Sequence, residues 1–305
     1  MGIEIGGTKL QIALGNGSGK ILRKSRLRVD ATKGGPGIRA QIAAALLELI
    51  PGHSLSAIGV GFGGPVDWRT GRICRSHQIV GWSEFDLGDW IKQQAGVSAF
   101  VDNDANVAAL GEATGGAGAG FNPVFYVTLG SGVGGGAVVD GKIYHGATPG
   151  EAEIGHLRLD RTGTTLESVC SGWAVDAKIR GLKSKDPSGL LSRMVGEEVG
   201  GEAKFLVPAL EQNDGAAKEI LGEVVENLSF GLSHVLNLFH PEIIILGGGL
   251  SQIGEPLREG VERRLGAFTM AAFQPGPRIA LAALGEDAVP VGALQLAANR
   301  ASAAR

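Results

Sequence analysis

The chain has 305 residues, of which 44% are hydrophobic and 19% are charged, and its formal net charge is −3. This composition is typical of a globular enzyme and excludes a disordered chain, and the charge gives no indication of a nucleic-acid or membrane partner. The two cysteines, Cys74 and Cys170, are too few for a disulfide framework. Because the sequence opens directly on GIEI at 2–5, without a basic-then-apolar signal segment, we expect a cytoplasmic protein.

Strands and helices alternate through the first part of the chain, and glycines cluster beside β-branched runs. Alternating apolar residues predict strands, and an apolar period near 3.6 predicts helices. The predicted strands are a pair around the turn 6–9 within 2–14, then 21–29, 57–62 and 98–101, and the predicted helices are 37–50, 87–94 and 103–112.

A second strand–glycine loop–strand unit follows, with strand 124–129, loop 130–136 and strand 137–139. An amphipathic helix is predicted at 217–239, a buried strand at 243–246 and a final helix at 291–301. The repeated unit predicts two α/β lobes, 1–110 with the C-terminal helix 291–305 packed on it, and 111–290. In such sheets, ligands bind at the carboxyl ends of the strands.

Three glycine motifs each follow a predicted strand: EIGGTK at 4–9, TLGSGVGGG at 128–136 and IIILGGG at 243–249. Backbone N–H groups, hydroxyls and an ammonium at such turns can hold phosphate, although the motif at 4–9 taken alone favours a plain hairpin turn. None follows the spacing of the P-loop. The third motif could accept a nucleotide base.

An acidic segment, VDNDAN at 101–106, follows a predicted strand. Asp102 and Asp104 offer carboxylates that can take a hydroxyl proton, and Asn103 offers an amide that can orient the same substrate. The alternative is that one of these residues only caps the following helix. The segment alone leaves both interpretations open.

The segment EIGH at 153–156, with Glu167 beyond it, combines carboxylates and an imidazole suited to sugar hydroxyls. Taken alone, the pattern favours a buried, satisfied histidine and surface glutamates. A closed zinc site takes about four Cys or His ligands, and no cysteine lies between His156 and Glu167. Since Cys170 is isolated, we predict no structural zinc.

Together with GFGGPVD at 61–67, DNDANVAALGE at 102–112 and HPEIIILGGGLS at 240–251, these motifs resemble the ROK family of repressors, open reading frames and sugar kinases, in order over nearly the whole chain. The resemblance implies a two-lobed ribonuclease-H-like fold of the actin and hexokinase type. It also implies ATP-dependent phosphorylation of a hexose or N-acetylhexosamine at the 6-hydroxyl, with Mg²⁺ and a homodimer expected.

The resemblance assigns the following residues. Asp104 corresponds to the catalytic base, and Glu4 lies where the family has a residue near the Mg²⁺ side of the phosphates. The sugar ligands correspond to Gly64, Asn103, Asp104, Glu153, His156 and Glu167. The phosphate loops correspond to Gly6, Gly7, Thr8 and Lys9 and to Gly130, Ser131 and Gly132, and the adenosine position corresponds to Gly247, Gly248 and Gly249.

The sequence departs from the family pattern where relatives carry a cysteine-rich zinc segment, because 157–165 is short and contains no cysteine. Three functions compete with the kinase. A sugar-sensing repressor would carry a helix-turn-helix ahead of the glycine hairpin, which here starts at residue 2, so we expect a kinase. The presence of Asp104 and of all three glycine motifs argues against a non-catalytic sugar-binding protein. A polyphosphate-dependent glucokinase would need a long basic groove, and no Lys/Arg run lines up with the phosphate loops. The sequence does not identify the sugar.

Overall fold

The computed structural model describes residues 1–76, 79–148 and 152–303. The chain divides into two compact units that alternate along the sequence. The first unit is Met1–Phe121, Gly136–Ala152 and Ala283–Arg305, and the second unit is Asn122–Gly135 and Glu153–Ala282. The lobe limits expected from the sequence, after 110 and after 290, stay a prediction.

Twelve strands occur in the described residues. They are β1 Gly2–Ile5, β2 Lys9–Gly15, β3 Ile21–Arg28, β4 Ile58–Phe62, β5 Val66–Asp67, β6 Arg72–Ile73, β7 Ala99–Asn103, β8 Val124–Leu129, β9 Val133–Val139, β10 Lys142–Ile143, β11 Ile243–Gly247 and β12 Arg278–Leu281. One five-stranded sheet has the order β3-β2-β1-β4-β7, another has the order β10-β9-β8-β11-β12, and β5 pairs with β6.

The α-helices of the described residues connect these strands. They are α1 Gly34–Leu49, α2 Leu87–Ala95, α3 Asp104–Gly115, α4 Leu166–Cys170, α5 Gly172–Lys185, α6 Leu190–Val195, α7 Leu206–Glu211, α8 Gly215–Phe239, α9 Glu255–Leu265 and α10 Ala288–Ala303. None of the described helices is long and apolar enough to cross a lipid bilayer.

The first unit packs α10 against α3 and β4 through glycines. A Cβ added at Gly292 would overlap the carbonyl oxygen of Val107 in α3, and one added at Gly59 in β4 would overlap the carbonyl oxygen of Ala293. Only glycine therefore permits this backbone approach. The C-terminal helix is thus an integral part of the first unit.

A buried carboxylate fixes the entry to α10. Glu112, at 0% exposure, accepts hydrogen bonds from the backbone N–H groups of Ala117, Ala283 and Leu284, at 2.9, 3.1 and 2.8 Å. A buried carboxylate is stable only when it is hydrogen-bonded in this way. Glu112 therefore joins the end of α3 to the segment that begins α10.

In the second unit, α8 turns its apolar stripe inward, and Leu228, Leu232 and Leu236 are all fully buried. The parallel strands β8 and β11 form the centre of the second sheet, with Thr128 opposite Gly247. Because β8 and β11 are parallel and end side by side, the segments that follow them, 130–132 and 247–249, are neighbours at the same edge of the sheet.

The elements predicted from the sequence are present with shifted ends, except around residues 130–139. The loop predicted at 130–136 is wrong, because β9 already begins at Val133. The prediction treats glycine there as a loop residue, but Gly136 lies against α3, where an added Cβ would be 2.9 Å from the carbonyl oxygen of Ala105. Glycine within a strand marks such a close backbone approach.

Candidate functional site

In the first unit, three parallel strands end in register. Ile5 of β1 pairs with Phe62 of β4, and Phe62 pairs with Asn103 of β7. The segments that follow, 6–9, 63–64 and 103–104, therefore meet at one edge of the sheet. This edge brings together every site residue that the sequence predicted in the first unit.

The hairpin turn 6–9 is closed by the N–H of Gly6, which donates to the carbonyl oxygen of Lys9 at 3.0 Å. The Lys9 ammonium pairs with Glu4 Oε1 at 3.0 Å, and the Glu4 side chain is only 7% exposed. The other carboxylate oxygen of Glu4 accepts a bond from Gln11 Nε2 at 2.6 Å. The turn thus exposes glycine backbone groups to a ligand, and it carries the Lys9 ammonium, whose charge is balanced by the buried Glu4 carboxylate.

Asp104 is half-buried in the first turn of α3, where the helix dipole stabilises a negative charge. A Cβ added at Gly63 would lie 3.4 Å from Asp104 Oδ2, so the carboxylate lies beside the glycine loop. At Gly64, φ is +154° and an added Cβ would be 3.2 Å from the Phe62 ring. Gly63 therefore presents its backbone to the carboxylate, whereas the strained Gly64 packs against Phe62.

The capping interpretation holds for Asn103. Its Oδ1 accepts hydrogen bonds from the N–H groups of Ala105 and Asn106, at 2.9 and 3.4 Å, so Asn103 is the N-cap of α3. Its Nδ2 donates to the carbonyl oxygen of Gly64 at 3.2 Å. Asn103 therefore ties the glycine loop to the turn that presents Asp104.

A recess lies beside this edge of the first unit. Gly6, Gly7 and Gly63 line it with backbone, and Phe62 and Trp82 line it with rings whose centroids are 5.4 Å apart in an edge-on arrangement. The recess adjoins Gly63, whose backbone also lies beside the Asp104 carboxylate.

Sequence reasoning misses a pair of side chains at the same edge. His145 Nε2 lies 2.7 Å from Asp102 Oδ2, and Trp68 stacks on the imidazole with a centroid distance of 4.2 Å. The sequence offers Asp102 only as a base or a cap. No local pattern connects His145 to it, because 43 residues separate the two in the chain.

In the second unit, the glycine loop 130–132 lies at the N-terminus of α5. The N–H of Gly172, the first residue of α5, donates to the carbonyl oxygen of Gly130 at 2.7 Å, and the Ser171 hydroxyl caps the helix through the N–H of Ala174 at 3.1 Å. A glycine loop beside a helix N-terminus is a site suited to anions. Ser131 is exposed on this loop.

Glu167, on α4, contacts the same loop. Its Oε2 accepts a hydrogen bond from the N–H of Val133 at 2.9 Å, and a Cβ added at Gly132 would overlap that oxygen. Thr165 and Ser168 form a capping box at the start of α4. The box holds the helix end from which Glu167 projects.

The turn 154–156 carries the remaining predicted sugar ligands of the second unit. Glu153 and His156 lie at its two ends and are both exposed, so the interpretation of His156 as a buried histidine is wrong. Gly155 between them packs so closely on β9 that an added Cβ would overlap the carbonyl oxygen of Val133. The turn and Glu167 therefore lie around the same residue of β9.

The third glycine motif lies along the end of β8. A Cβ added at Gly248, where φ is +82°, would lie 2.6 Å from the backbone of Leu129. Gly247 is buried, and Gly248 and Gly249 are exposed. The structure therefore places 247–249 directly beside the residues that lead into the loop 130–132.

The donor set of the second unit does not fit zinc. No group of three or more His, Cys, Asp or Glu able to hold a metal occurs in 1–76, 79–148 or 152–303. Cys170 is fully buried, and burial raises the pKa of its thiol to about 12, which keeps it protonated. The expected absence of zinc stays a prediction.

Comparisons with known proteins agree with this architecture. The ROK family profile matches residues 1–300. Glucokinase of Thermotoga maritima is 31% identical, over 98% of this chain and 97% of its own length. A ROK family glucokinase of Streptomyces griseus, solved in complex with glucose and AMPPNP, has 30% identity and a TM-score of 0.84, with 98% of both chains covered. The predicted fold class, an α/β ribonuclease-H-like ATPase fold, is confirmed.

The similarity extends to regulators. A putative xylose repressor of Caldicellulosiruptor sp. is 24% identical over 86% of this chain and 69% of its own length. Glucokinases and a repressor are thus both similar to this chain, so the similarity alone does not establish its activity.

Proposed function

The chain belongs to the ROK family, and we propose that it is an ATP-dependent kinase that phosphorylates the 6-hydroxyl of a hexose or an N-acetylhexosamine. One observation carries the proposal: Asp104 Oδ2 lies beside the Gly63 backbone, at the edge where the glycine hairpin also ends. A carboxylate that can take the hydroxyl proton and a glycine turn suited to phosphate are what phosphoryl transfer to an alcohol needs.

Asp104 is the proposed general base. It accepts the proton of the attacking hydroxyl while the sugar oxygen forms its bond to the γ-phosphorus and the bond from that phosphorus to the leaving oxygen of ADP breaks. Its place in the first turn of α3 favours the ionised form that a base requires.

The remaining site residues bind and orient the substrates. Gly64, Asn103, Glu153, His156 and Glu167 are the proposed sugar ligands, with Asn103 also holding the Gly64 loop. The phosphates are assigned to Gly6, Gly7, Thr8 and Lys9 and to Gly130, Ser131 and Gly132, and the adenosine to Gly247, Gly248 and Gly249. The position of 130–132 at the N-terminus of α5 supports the second phosphate assignment.

Magnesium enters as part of the co-substrate MgATP, where it neutralises charge on the transferring group. No zinc takes part in this proposal, because the residues from 157 to 165 contain no thiolate ligand. Cytoplasmic location, a homodimer and the absence of a nucleic-acid partner remain further proposals.

The test is a coupled assay of ADP release with ATP and Mg²⁺ across hexoses and N-acetylhexosamines, with glucose first because the similar proteins are glucokinases. We expect turnover with at least one sugar and a loss of about 10³-fold or more in kcat for Asp104→Asn, because the base contributes at about this level. Asp89→Asn, an exposed aspartate in the first turn of α2, is the matched control and should keep wild-type turnover.

Calorimetric sugar binding to Asp104→Asn separates lost chemistry from lost folding, since the variant should still bind sugar. Turnover with polyphosphate but not with ATP would favour the polyphosphate-dependent alternative. Sugar binding by the wild-type protein without turnover on either donor would contradict the kinase and favour a sugar sensor.

A further inference from the structure

Asp102, two residues before the proposed base Asp104, forms a buried carboxylate–imidazole pair with His145. This pair takes no part in the proposed chemistry. Asp102 Oδ2 and His145 Nε2 are 2.7 Å apart, and their side chains are 1% and 9% exposed. A carboxylate is a hydrogen-bond acceptor, so Nε2 carries the proton of this bond. A carboxylate buried this deeply needs such a donor, because an unpaired one would be costly.

The other oxygen of Asp102 holds the turn that presents the base. Asp102 Oδ1 accepts hydrogen bonds from the N–H of Asn103 at 2.9 Å and from Asn106 Nδ2 at 3.1 Å. Asn103 caps α3, and Asp104 is the first residue of that helix. The orientation of the Asp102 carboxylate therefore determines the position of the backbone from which the Asp104 side chain projects.

The imidazole is itself held in place. Trp68 stacks on it with an interplanar angle of 17°, and the Arg300 guanidinium lies 4.9 Å from the centre of the same indole. Stacking and the cation–π contact restrict the plane of the ring system. His145 thus presents Nε2 to Asp102 in one orientation.

We propose that His145 is a positioning residue for phosphoryl transfer: its Nε2–H fixes Asp102, and Asp102 fixes the Asn103–Asp104 turn that carries the base. The inference rests on the proposed kinase function. His145 touches neither the sugar nor the phosphates in this scheme, and it acts only through Asp102. A displacement of the base by about 1 Å is enough to cost a large factor in rate.

Two substitutions of similar size separate this role from general packing. In His145→Gln the side-chain amide nitrogen takes the place of Nε2, whereas in His145→Asn it takes the place of Nδ1 and does not reach Asp102. We expect His145→Gln to keep kcat within about threefold of wild type, and His145→Asn to lose roughly 10- to 100-fold in kcat. Sugar-binding stoichiometry by calorimetry, unchanged in both, shows that the active fraction is intact.

Asp102→Asn tests the second step, since its amide cannot accept from His145, Asn103 and Asn106 together. It should lose kcat to a similar extent, and the double variant Asp102→Asn/His145→Asn should be no worse than either single one, because the residues act in series. If His145→Asn fails to fold, Asp102→Asn and His145→Gln carry the test.

Equal kcat values for His145→Asn and His145→Gln, or additive losses in the double variant, would overturn the inference. In that case, turnover by the wild-type protein would still support the kinase function. A wild-type protein without turnover on any sugar would instead contradict the kinase, and the inference with it.

Discussion

The N–H of Val133 donates to Glu167 Oε2 at 2.9 Å, so the carboxylate assigned to the sugar also holds the strand next to the loop 130–132. The bond joins α4 to the first residue of β9 within the second unit. Glu167 therefore connects the proposed sugar ligands to the proposed phosphate loop, and Gly132 leaves the space that this carboxylate occupies.

Gly132→Ala should break this connection. The new methyl group would overlap Glu167 Oε2, so the carboxylate must rotate away and lose its bond to the Val133 N–H. Because the loop 130–132 then loses this support and its backbone can shift, we expect kcat/KM for ATP to fall by roughly tenfold or more. Steady-state kinetics with varied ATP measure the effect.

The control for this prediction is the double variant Gly132→Ala/Glu167→Ala. If the methyl group acts through the carboxylate, the double variant loses no more than Glu167→Ala alone. Losses that add in full would show that the methyl group disturbs the loop by another route.

Gly292→Ala should destabilise the first unit. Its methyl group would overlap the carbonyl oxygen of Val107, and backbone cannot move aside as a flexible side chain can. Overpacking of this kind costs about 1–3 kcal/mol, which lowers the thermal midpoint by several degrees. Circular dichroism melting measures the change.

Gly222→Ala is the matched control, because Gly222 lies within α8 and an added Cβ meets nothing within 4 Å. Alanine there should stabilise the helix by about 0.5–1 kcal/mol. A Gly292→Ala protein that melts at the wild-type temperature would contradict the close packing of α10 on α3.

The sequence predicts those features that depend on residues close together in the chain. The buried strands, the long helix α8 and the glycine loops each have a local pattern, and the polar start of α3 correctly offers Asn103 as a cap. The short helices α4, α6 and α7 have only five or six residues each, too few for an apolar period to be recognised. The sequence does not predict that glycines 134–136 lie within a strand. Gly136 is needed there because it packs against α3, and this tertiary contact has no local sequence pattern.

The site follows the same division. Glycine loops and the carboxylate of Asp104 can be chosen from motifs, because phosphate binding uses local backbone. The pair Asp102–His145 and the bond from Val133 to Glu167 depend on how distant segments fold together, over 43 and 34 residues. No spacing rule predicts such contacts from one sequence.

Asp160 should order the loop that replaces the cysteine-rich segment. Its Oδ1 accepts hydrogen bonds from the N–H groups of Thr162, Gly163 and Thr164, at 2.7, 2.9 and 3.2 Å. Asp160→Ala removes this acceptor, so amide hydrogen exchange in 160–165 should accelerate at neutral pH. Exchange measured by mass spectrometry checks the prediction.

The pH dependence of this loop has a definite sign. Hydrogen bonds from Thr164 and Thr162 hold the pKa of Asp160 below its ordinary value. A depressed folded-state pKa stabilises the ionised, folded form above the unfolded value near 4, and the stabilisation is lost as pH falls through the folded value. Asp160→Asn keeps an oxygen acceptor and should exchange more slowly than Asp160→Ala. Equal exchange in wild type and Asp160→Ala would contradict the role of the carboxylate.

Cys170 should be inert in the folded protein. Its side chain is fully buried, its Sγ lies 3.7 Å from the carbonyl oxygen of Val224, and burial raises the pKa of the thiol to about 12. Because the thiolate is the reactive form, a Cys74→Ser variant, which retains Cys170 alone, should give no reaction with a disulfide reagent at about pH 8. In guanidinium chloride the same variant should release one equivalent of the chromophore.

The raised pKa also predicts how stability changes at alkaline pH. The unfolded thiol ionises near its ordinary value of about 8.5, while the folded thiol stays protonated, so the free energy of unfolding falls as pH rises above about 9. The slope from this group approaches about 1.4 kcal/mol per pH unit and should vanish in Cys170→Ala. Denaturant titrations of Cys74→Ser and Cys74→Ser/Cys170→Ala isolate it. Rapid labelling of native Cys74→Ser, or identical alkaline slopes in the two variants, would show that the Cys170 pocket opens to solvent.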